Sequence, residues 1–326
     1  MKHKIILILL VLITNTASSH DVDRTNIQNF IMTMVEKHDF DSDDLSLILS
    51  KAESKEKILE AISRPAEKRL TWNEYRNIFI KEERIKAGAD FWLEHQQILD
   101  NISQETGVSI EILVAIIGVE TYFGRFTGGY RVIDALSTLA FDYPKRSVFF
   151  TKELEAYLLL TREENMNPFD ATGSYAGAMG SPQFMPSSYR AYAVDSDGDD
   201  KRDIWTNWTD VIGSVANYFV EHGWQQGNEI IVPAKINQLA SKPKIKDGLK
   251  ATETVEILKE KGIIFDTVMN DNHPSEVLFL EQEGANNYWV AFHNFFVITR
   301  YNHSTMYALA VHQLGQEIVN EMKKNR

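Results

Sequence analysis

The apolar segment that leads to Glu120 constrains the fold more than any other part of the chain. Residues 110–119 read IEILVAIIGV, and nearly every side chain in this run is apolar. A helix that is apolar on all sides has to be buried, so the segment predicts a helix inside a packed core. A glutamate at the end of such a helix requires an explanation.

Helix signals place Glu120 near the carboxyl end of this predicted helix. Ser109 is positioned to cap its start and Gly124 to end it. Apolar neighbours would desolvate the carboxylate and the negative end of the helix dipole would repel it, so both effects would raise its pKa. Such a carboxyl group can hold a proton near neutral pH and donate it to a leaving-group oxygen. The segment alone is equally compatible with a glutamate that faces solvent or pairs with Arg125.

Net charge and composition limit the kinds of molecule that the protein can bind. The 326 residues carry a formal net charge of -12 at pH 7, the pI is near 5.3, and no block of Lys or Arg stands out. Because nucleic-acid binding depends on clustered cations, the sequence argues against a nucleic-acid partner. The length allows two or three domains and a substantial core.

Residues 1–19 have the three parts of a secretory signal peptide. Two lysines precede an apolar stretch at 5–13, and Ala17 and Ser19 have the spacing of a cleavage site. The stretch is too short to cross a bilayer, and a core helix is the alternative interpretation. The chain contains no cysteine, which excludes disulfides and lipid attached to cysteine. We therefore expect an exported, periplasmic monomer without a transmembrane segment or lipid anchor.

Changes in periodicity divide the remaining chain into four segments. They predict a helical domain at 20–85, a more apolar helical core at 86–224, a small insert at 225–285, and a return to the core at 286–326. In the insert, the runs EIIVPAKI, GIIFDTV and EVLFLEQ are separated by Pro, Gly and Asn, which predicts short strands. The predicted fold class is therefore mainly α, with a β-containing insert in an α+β arrangement.

The segment GSYAGAMGSPQFMPSSY, residues 173–189, predicts an ordered loop. Its Gly and Pro residues suit neither a regular helix nor a strand. Small residues would let a polymer lie close to the main chain. Ser174 and Gln183 offer hydrogen bonds, while Tyr175 and Phe184 offer flat faces to sugar rings. A purely structural loop is the alternative explanation of the same composition.

The run DSDGDDKRDIW places oxygen ligands at alternate positions, as an EF-hand calcium loop does. The predicted ligands at its odd positions are Asp195, Asp197, Asp199, the backbone carbonyl of Lys201, and Asp203. Two residues depart from the pattern, since Asp200 replaces the usual Gly and Thr206 replaces the bidentate Glu. A single loop favours a structural Ca²⁺ over a calcium sensor. A solvated acidic loop without metal is the alternative.

Five segments in chain order resemble the B type of lytic murein transglycosylase, a periplasmic enzyme that cleaves peptidoglycan and has a lysozyme-like core. They are AIIGVETYFGR, ALSTLAFDYPKR, GSYAGAMGSPQFMPSSY, IGSVANYF and NFFVITRYNHS. The resemblance implies that Glu120 is the catalytic acid and base, and that a later aspartate, Asp210, closes the calcium loop. It also implies glycan contacts from Ser174, Gln183, Tyr218, Tyr301 and Asn302.

One carboxyl group suffices for this chemistry if the substrate assists. Ordinary glycosidases use two carboxylates, but the other acids near the motifs are predicted to lie at turns or helix surfaces. These are Asp134, Asp142 and Glu153. By the resemblance, Glu120 protonates the MurNAc–GlcNAc β-1,4 oxygen of a glycan strand and then takes the C6 hydroxyl proton, leaving a 1,6-anhydro ring. No cofactor is needed for this chemistry. The alternatives are a muramidase that uses water and a calcium-dependent peptidoglycan-binding protein without turnover.

Overall fold

The computed structural model describes residues 18–64, 70–237, 249–280 and 288–324. Within these ranges the chain is mainly helical, with a five-stranded sheet and two short strand pairs. The prediction of a mainly α fold with a β-containing insert is therefore confirmed. The predicted signal peptide lies outside the described residues except for Ser18–Ser19, and parts of the predicted insert, 238–248 and 281–285, also lie outside them.

The helices occur along the whole described chain. In order they are α1 (Thr25–His38), α2 (Ser42–Lys51), α3 (Glu56–Ser63), α4 (Trp72–Phe79), α5 (Glu82–Glu94), α6 (Gln96–Thr106), α7 (Ile110–Thr121), α8 (Val132–Asp142), α9 (Ser147–Glu163), α10 (Pro186–Tyr192), α11 (Trp208–Glu221), α12 (Val255–Glu260), α13 (His293–Tyr301) and α14 (Thr305–Lys324). A single 3₁₀ turn at Pro144–Arg146 joins α8 to α9.

The strands fall into one sheet and two isolated pairs. In order they are β1 (Ser18–Ser19), β2 (Glu53–Ser54), β3 (Tyr130–Arg131), β4 (Thr172–Gly173), β5 (Ile231–Ile236), β6 (Glu253–Thr254), β7 (Ile263–Ile264), β8 (Pro274–Phe279) and β9 (Tyr288–Phe292). β1 pairs with β2 and β3 with β4, while the sheet has the order β6-β8-β9-β5-β7 with all neighbours antiparallel.

The helices pack around two apolar cores. One core joins α1–α3 to α8–α10 and contains the buried rings of Phe150 and Tyr157. The other joins α4–α7 to α11, α13 and α14. α7 lies at the centre of this second core, since every residue from Ile112 to Val119 is buried. The predicted helix inside a packed core is therefore present.

The helices of the predicted N-terminal domain, residues 20–85, divide between the two cores. α1–α3 share their core with α8 and α9, whereas α4 and α5 pack against α14. The predicted insert, residues 225–285, ends before β9, yet β9 is the central strand of the sheet in that insert. β9 then leads directly into α13. The domain boundaries themselves stay a prediction.

Local signals explain some helix starts but not that of α7. Thr71 and Glu74 form a reciprocal capping box at α4, as the sequence T-x-x-E favours. At α2, Asp41 accepts hydrogen bonds from two backbone N–H groups of the first turn. Ser109 does occupy the N-cap position of α7, but its side chain makes no capping hydrogen bond, so that part of the prediction is wrong. Burial of its side chains is what stabilises α7.

Within the described ranges, no single helix is long and apolar enough to span a bilayer. α6 and α7 taken together reach that length and composition, but they meet at a bend of 117°.

The crossing of α14 over α7 depends on a close backbone approach at Gly315. A Cβ added there would lie 2.8 Å from the backbone oxygen of Glu111. Because a buried helix backbone cannot shift easily, we expect Gly315→Ala to lower the free energy of unfolding by about 1–2 kcal/mol, although Ala is the better helix former. Chemical denaturation measures this. Gly129→Ala is the control, since nothing lies within 4 Å of a Cβ at Gly129, and equal stability of both variants would contradict the prediction.

Candidate active site

Glu120 is the point at which the buried helix α7 reaches the surface. It lies in the last turn of the helix and is partly exposed, while Val119 before it and Thr121 after it are buried. The Thr121 hydroxyl donates a 3.0 Å hydrogen bond to the carbonyl of Ser181, in the predicted loop at 173–189. The end of α7 is therefore fastened to that loop beside Glu120.

A left-handed turn ends α7 immediately after Glu120. The prediction that Gly124 ends the helix is wrong, because Tyr122 is already left-handed and serves as the C-cap. Tyr122, Phe123 and Gly124 have φ values of 52°, 59° and 77°. For the two aromatic residues this conformation costs about 1–2 kcal/mol each. It places their backbone N–H groups on carbonyls of the last turn of α7, as at many helix ends.

Ring packing holds this strained turn in place. Phe123 stacks on Phe91 with ring centroids 5.4 Å apart. Tyr122 lies beneath two guanidinium groups, those of Arg84 at 4.9 Å and Arg125 at 5.0 Å from its ring centroid. Arg125 therefore stacks on an aromatic ring and forms no ion pair with Glu120, so the alternative of a paired helix-end glutamate is excluded.

Three tyrosines from three helices surround the carboxyl group of Glu120. Tyr307, in the first turn of α14, donates a 2.5 Å hydrogen bond to Glu120 Oε1. The negative charge of Glu120 also acts on Tyr75 of α4 and Tyr301 of α13, since burial, and then this charge, raises the pKa of each. Among the residues that the structure describes, no cation pairs with this carboxyl group.

The surroundings of Glu120 change its acidity in the predicted direction. Burial raises the pKa of Glu120 from 4.5 to about 7, and the hydrogen bond from Tyr307 offsets part of that rise. A carboxyl group with this pKa exchanges a proton readily at neutral pH. Sequence reasoning missed Tyr307 and Tyr75, since neither lies in a segment with an unusual pattern.

The predicted loop at 173–189 ends at Met185, because Pro186 begins α10, and side-chain hydrogen bonds order its remainder. Ser174 Oγ accepts a 3.0 Å bond from the N–H of Ala178, and the amide nitrogen of Gln183 donates to the carbonyls of Thr127, at 3.0 Å, and Gly180, at 2.9 Å. Gln183 has a φ of 53°. Its side chain therefore braces the loop, and only the amide oxygen stays available to a ligand.

Tyr301 fastens the loop to α13, and Tyr218 fastens α11 to α13. Tyr301 donates its hydroxyl to the carbonyl of Pro182, at 2.6 Å, and Tyr218 donates to the carbonyl of Arg300, at 2.7 Å. Their ring centroids are 4.8 Å apart, and Phe184 packs within 6 Å of both. Phe184 is only 2% exposed, so its predicted role as a flat face for sugar is wrong, whereas Tyr175 is 40% exposed.

The structure also shows where the other predicted glycan contacts lie. Asn302 is exposed and directly follows Tyr301 at the end of α13. Two hydrogen bonds bring Glu120, Gln183 and Tyr301 together. Thr121, the residue after Glu120, bonds the carbonyl of Ser181. Tyr301 bonds the carbonyl of Pro182, the residue before Gln183. For Ser174 and Asn302, no contact within the described ranges links the side chain to Glu120.

The other acids near the motifs all have structural partners, and for Asp134 and Glu153, which are buried, the predicted place at a turn or helix surface is wrong. Asp134 is buried and accepts bonds from the guanidinium of Arg131. Glu153 is buried and accepts bonds from the backbone N–H and the hydroxyl of Ser187. Asp142 pairs with Arg24 at 2.6 Å. Each therefore has a structural partner within the fold, whereas Glu120 is bonded by a neutral tyrosine hydroxyl and is partly exposed.

The acidic run forms a compact cluster of carboxylates. One carboxylate oxygen from each of four residues lies within 4.8 Å of the others, and the four are Asp195, Asp197, Asp199 and Asp210. Asp203 is not in this cluster, because its carboxylate accepts bonds from the backbone N–H groups of Trp205 and Thr206. Asp200, at the position usual for Gly, has a φ of 65°. Hard carboxylate oxygens in this arrangement fit Ca²⁺.

Removal of the Tyr307 hydroxyl tests its effect on Glu120. The hydroxyl hydrogen bond stabilises the ionised carboxylate, so we expect Tyr307→Phe to raise the pKa of Glu120 above about 7, by roughly one unit. NMR titration of the glutamate side-chain carboxyl carbons measures this pKa. Tyr218→Phe is the control, because the Tyr218 hydroxyl bonds a backbone carbonyl instead. An unchanged pKa in Tyr307→Phe would contradict the assigned hydrogen bond.

Comparisons with known proteins agree with this geometry. The transglycosylase SLT domain family matches residues 23–316. The membrane-bound lytic murein transglycosylase B of Escherichia coli is 41% identical over 302 residues, which cover 90% of this chain and 82% of the relative. The solved structure of the catenated lytic transglycosylase SltB1 from Pseudomonas aeruginosa is 47% identical, with a TM-score of 0.88 and coverage of 92% of this chain and 98% of that chain.

A third similar protein is the E. coli lytic transglycosylase Slt35 solved in complex with calcium. It is 40% identical with a TM-score of 0.84, and the match covers 94% of this chain and 96% of that chain. These similarities confirm the predicted resemblance, fold class and enzymatic function. The chain therefore belongs to the transglycosylase SLT domain family, whose lytic murein transglycosylases are enzymes that cleave peptidoglycan.

Proposed function

We propose that Glu120 is the single acid and base in a non-hydrolytic cleavage of the MurNAc–GlcNAc β-1,4 bond. The observation that carries this proposal is one partly exposed carboxyl group with a pKa of about 7, without a counter-ion in the described structure. Near neutral pH such a group is present in both its protonated and its ionised form. It can therefore donate a proton in one step and accept one in the next.

The reaction begins with proton transfer from Glu120 to the glycosidic oxygen. The bond between that oxygen and the anomeric carbon of MurNAc breaks, and the N-acetyl group of the same sugar stabilises the positive charge that develops. Ionised Glu120 then takes the proton of the C6 hydroxyl, whose oxygen forms a new bond to the anomeric carbon. The product carries a 1,6-anhydro ring, and Glu120 is again protonated.

The tyrosines around Glu120 support both steps without adding charge. Tyr307 donates its hydrogen bond to the same carboxyl group that ionises after the first transfer. Tyr75 and Tyr301 have raised pKa values and stay neutral. A neutral, aromatic surrounding keeps the pKa of Glu120 high, which a nearby Arg or Lys would lower.

The glycan contacts fall to the polar groups that the fold leaves free. Gln183 keeps its amide oxygen, Ser174 keeps the hydroxyl hydrogen, and the Asn302 side chain is exposed. Tyr301 uses its hydroxyl on a backbone carbonyl, so it would contact sugars through its ring. Tyr218 is only 7% exposed and its ring packs between His222 and Tyr301, so it would line the cleft from beneath by holding Tyr301 in place. The proposed peptidoglycan substrate carries peptides on its glycan strands. A similar protein, P. aeruginosa SltB3, was solved in complex with NAG-NAM-pentapeptide, and that structure is 26% identical with a TM-score of 0.78.

The acidic cluster would hold a structural Ca²⁺, while the chemistry needs no cofactor. Asp195, Asp197, Asp199 and Asp210 supply the carboxylate oxygens, and the carbonyl of Lys201 would complete the set. The calcium complex of the similar E. coli Slt35 supports this assignment. The ion would neutralise carboxylates that otherwise repel one another.

The proposed location is the periplasm, after export by the N-terminal signal. A similar E. coli enzyme is named membrane-bound, but this sequence has no cysteine to carry a lipid. A periplasmic form places the enzyme beside its peptidoglycan substrate. The monomeric state stays a prediction.

Replacement of the proton donor tests the catalytic role. Glu120→Gln keeps the shape of the side chain but cannot transfer a proton, so we expect turnover of purified sacculi to fall about 10²–10⁴-fold while glycan binding persists. Glu111→Gln, the same change in the first turn of α7, is the matched control. Mass spectrometry of parent products should show fragments lighter by one water than hydrolysed ones. Hydrolysed ends would indicate a muramidase, and near-normal turnover of folded Glu120→Gln would move the acid elsewhere.

Calcium should raise the melting temperature of the parent protein. A ligand that binds only the folded state adds RT ln(1 + [L]/Kd), which is about 2.7 kcal/mol at a hundred times Kd. Magnesium should substitute poorly, because it requires tighter octahedral geometry. Asp197→Ala should abolish the calcium effect, and Asp266→Ala, an exposed carboxylate outside the loop, should keep it. Equal parent melting temperatures with calcium, magnesium and chelator would show that the loop binds no metal.

A further inference from the structure

A basic cavity lies along one side of α13, outside the residues assigned to the reaction. It has a volume of about 210 Å³, and its ionisable lining consists of His222, Lys250, His293 and Arg300. Phe296 and Val297, both nearly buried, supply an apolar floor. Among the described residues, no carboxylate lines this cavity. A chain with a net charge of -12 therefore has a cavity whose charged groups are all cationic.

The two permanent cations of the cavity lack counter-ions. Neither Lys250 nor Arg300 uses its side chain in an ion pair or hydrogen bond with any residue in the described ranges. Elsewhere, Arg131 and Arg190 each pair with a carboxylate, at 2.8 and 2.7 Å. Unpaired Arg and Lys around a concave surface favour an anionic ligand with planar oxygens, such as a carboxylate.

The two imidazoles are held in fixed orientations at the wall of the cavity. His222 Nδ1 lies 2.7 Å from the carbonyl of Tyr218, and His293 Nε2 lies 2.7 Å from the carbonyl of Gly223. Because a carbonyl only accepts, each of these nitrogens carries the hydrogen. The second nitrogen of each ring is left to bind a ligand, and it donates to an anion once the ring is protonated.

The cavity shares a wall with the proposed glycan-binding cleft. The His222 ring stacks on Tyr218 with centroids 4.1 Å apart, and the Tyr218 hydroxyl bonds the carbonyl of Arg300. Arg300 directly precedes Tyr301. The end of α13 therefore carries Tyr301, which the proposed function places in the cleft, next to the unpaired cation Arg300.

We propose that this cavity binds a carboxylate of the peptide attached to the glycan, so that the enzyme binds peptide-bearing strands more tightly than bare ones. The proposal rests on the proposed function, in which the glycan lies against Tyr301. Every such peptide ends in a carboxylate or carries one on a side chain. An extended pentapeptide reaches about 17 Å, which is ample to pass from the cleft into a cavity separated from it by one side chain.

The test measures binding in the Glu120→Gln background, so that it does not depend on turnover. Isothermal titration would compare NAG-NAM-pentapeptide, the same fragment with its peptide carboxylates amidated, and bare NAG-NAM. We expect the peptide-bearing fragment to bind about five- to tenfold more tightly than the other two, as for one or two exposed ion pairs. The double variant Lys250→Gln/Arg300→Gln should reduce this preference to less than twofold. Lys37→Gln, which removes an exposed cation from α1, should keep it.

Several results would overturn the proposal. These are equal binding of all three fragments, an unchanged preference in the double variant, or a preference that survives amidation. Competition by inorganic phosphate without any discrimination between fragments would assign the cavity to a phosphate-bearing ligand instead. A failure of the catalytic role of Glu120 would show separately, as turnover in Glu120→Gln, and would leave these affinities interpretable.

Discussion

The active site depends on the burial of α7. Since all residues from Ile112 to Val119 are buried, the helix has one position and one rotation in the core, and these fix the point at which Glu120 emerges. Gly315 lets α14 approach closely enough for Tyr307 to reach the carboxyl group. The same apolar surroundings that stabilise the helix desolvate Glu120 and raise its pKa.

Burial of Glu120 lowers the stability of the folded protein near neutral pH, where a pKa of about 7 lets the carboxyl group exchange a proton. The folded-state pKa of Glu120, about 7, is higher than its ordinary value of 4.5, so the folded state binds the proton more tightly than the unfolded state does. The free energy of unfolding therefore falls as pH rises through this interval, by about 1–3 kcal/mol for a partly exposed group. The left-handed Tyr122 and Phe123 add a further cost at the same place. Such local costs are typical of functional sites.

The sequence was sufficient to predict features that depend on residues close together in the chain. It was not sufficient for contacts between segments that lie far apart in the chain. The apolar run was enough to predict α7 and a carboxyl group with a raised pKa. Tyr307 lies 187 residues from Glu120, and nothing in one sequence indicates that they touch. Asp134 fits a helix surface in the local pattern, yet β2 covers it, since the N–H of Glu53 donates to its carboxylate. Phe184 was misplaced for the same reason, because composition predicts a loop but not which side chains face inward.

The distribution of polar groups explains how a rigid site can still recognise a substrate. The hydroxyls of Thr121, Tyr218 and Tyr301 all donate to backbone carbonyls, which fastens α7 and α13 to one loop and α11 to α13. Groups used in this way cannot also bond a ligand in the same direction. Recognition must then come from groups that keep unused hydrogen-bonding capacity, such as the amide oxygen of Gln183. Glu120 combines partial exposure with desolvation, and for that reason we propose that proton transfer takes place at its carboxyl group.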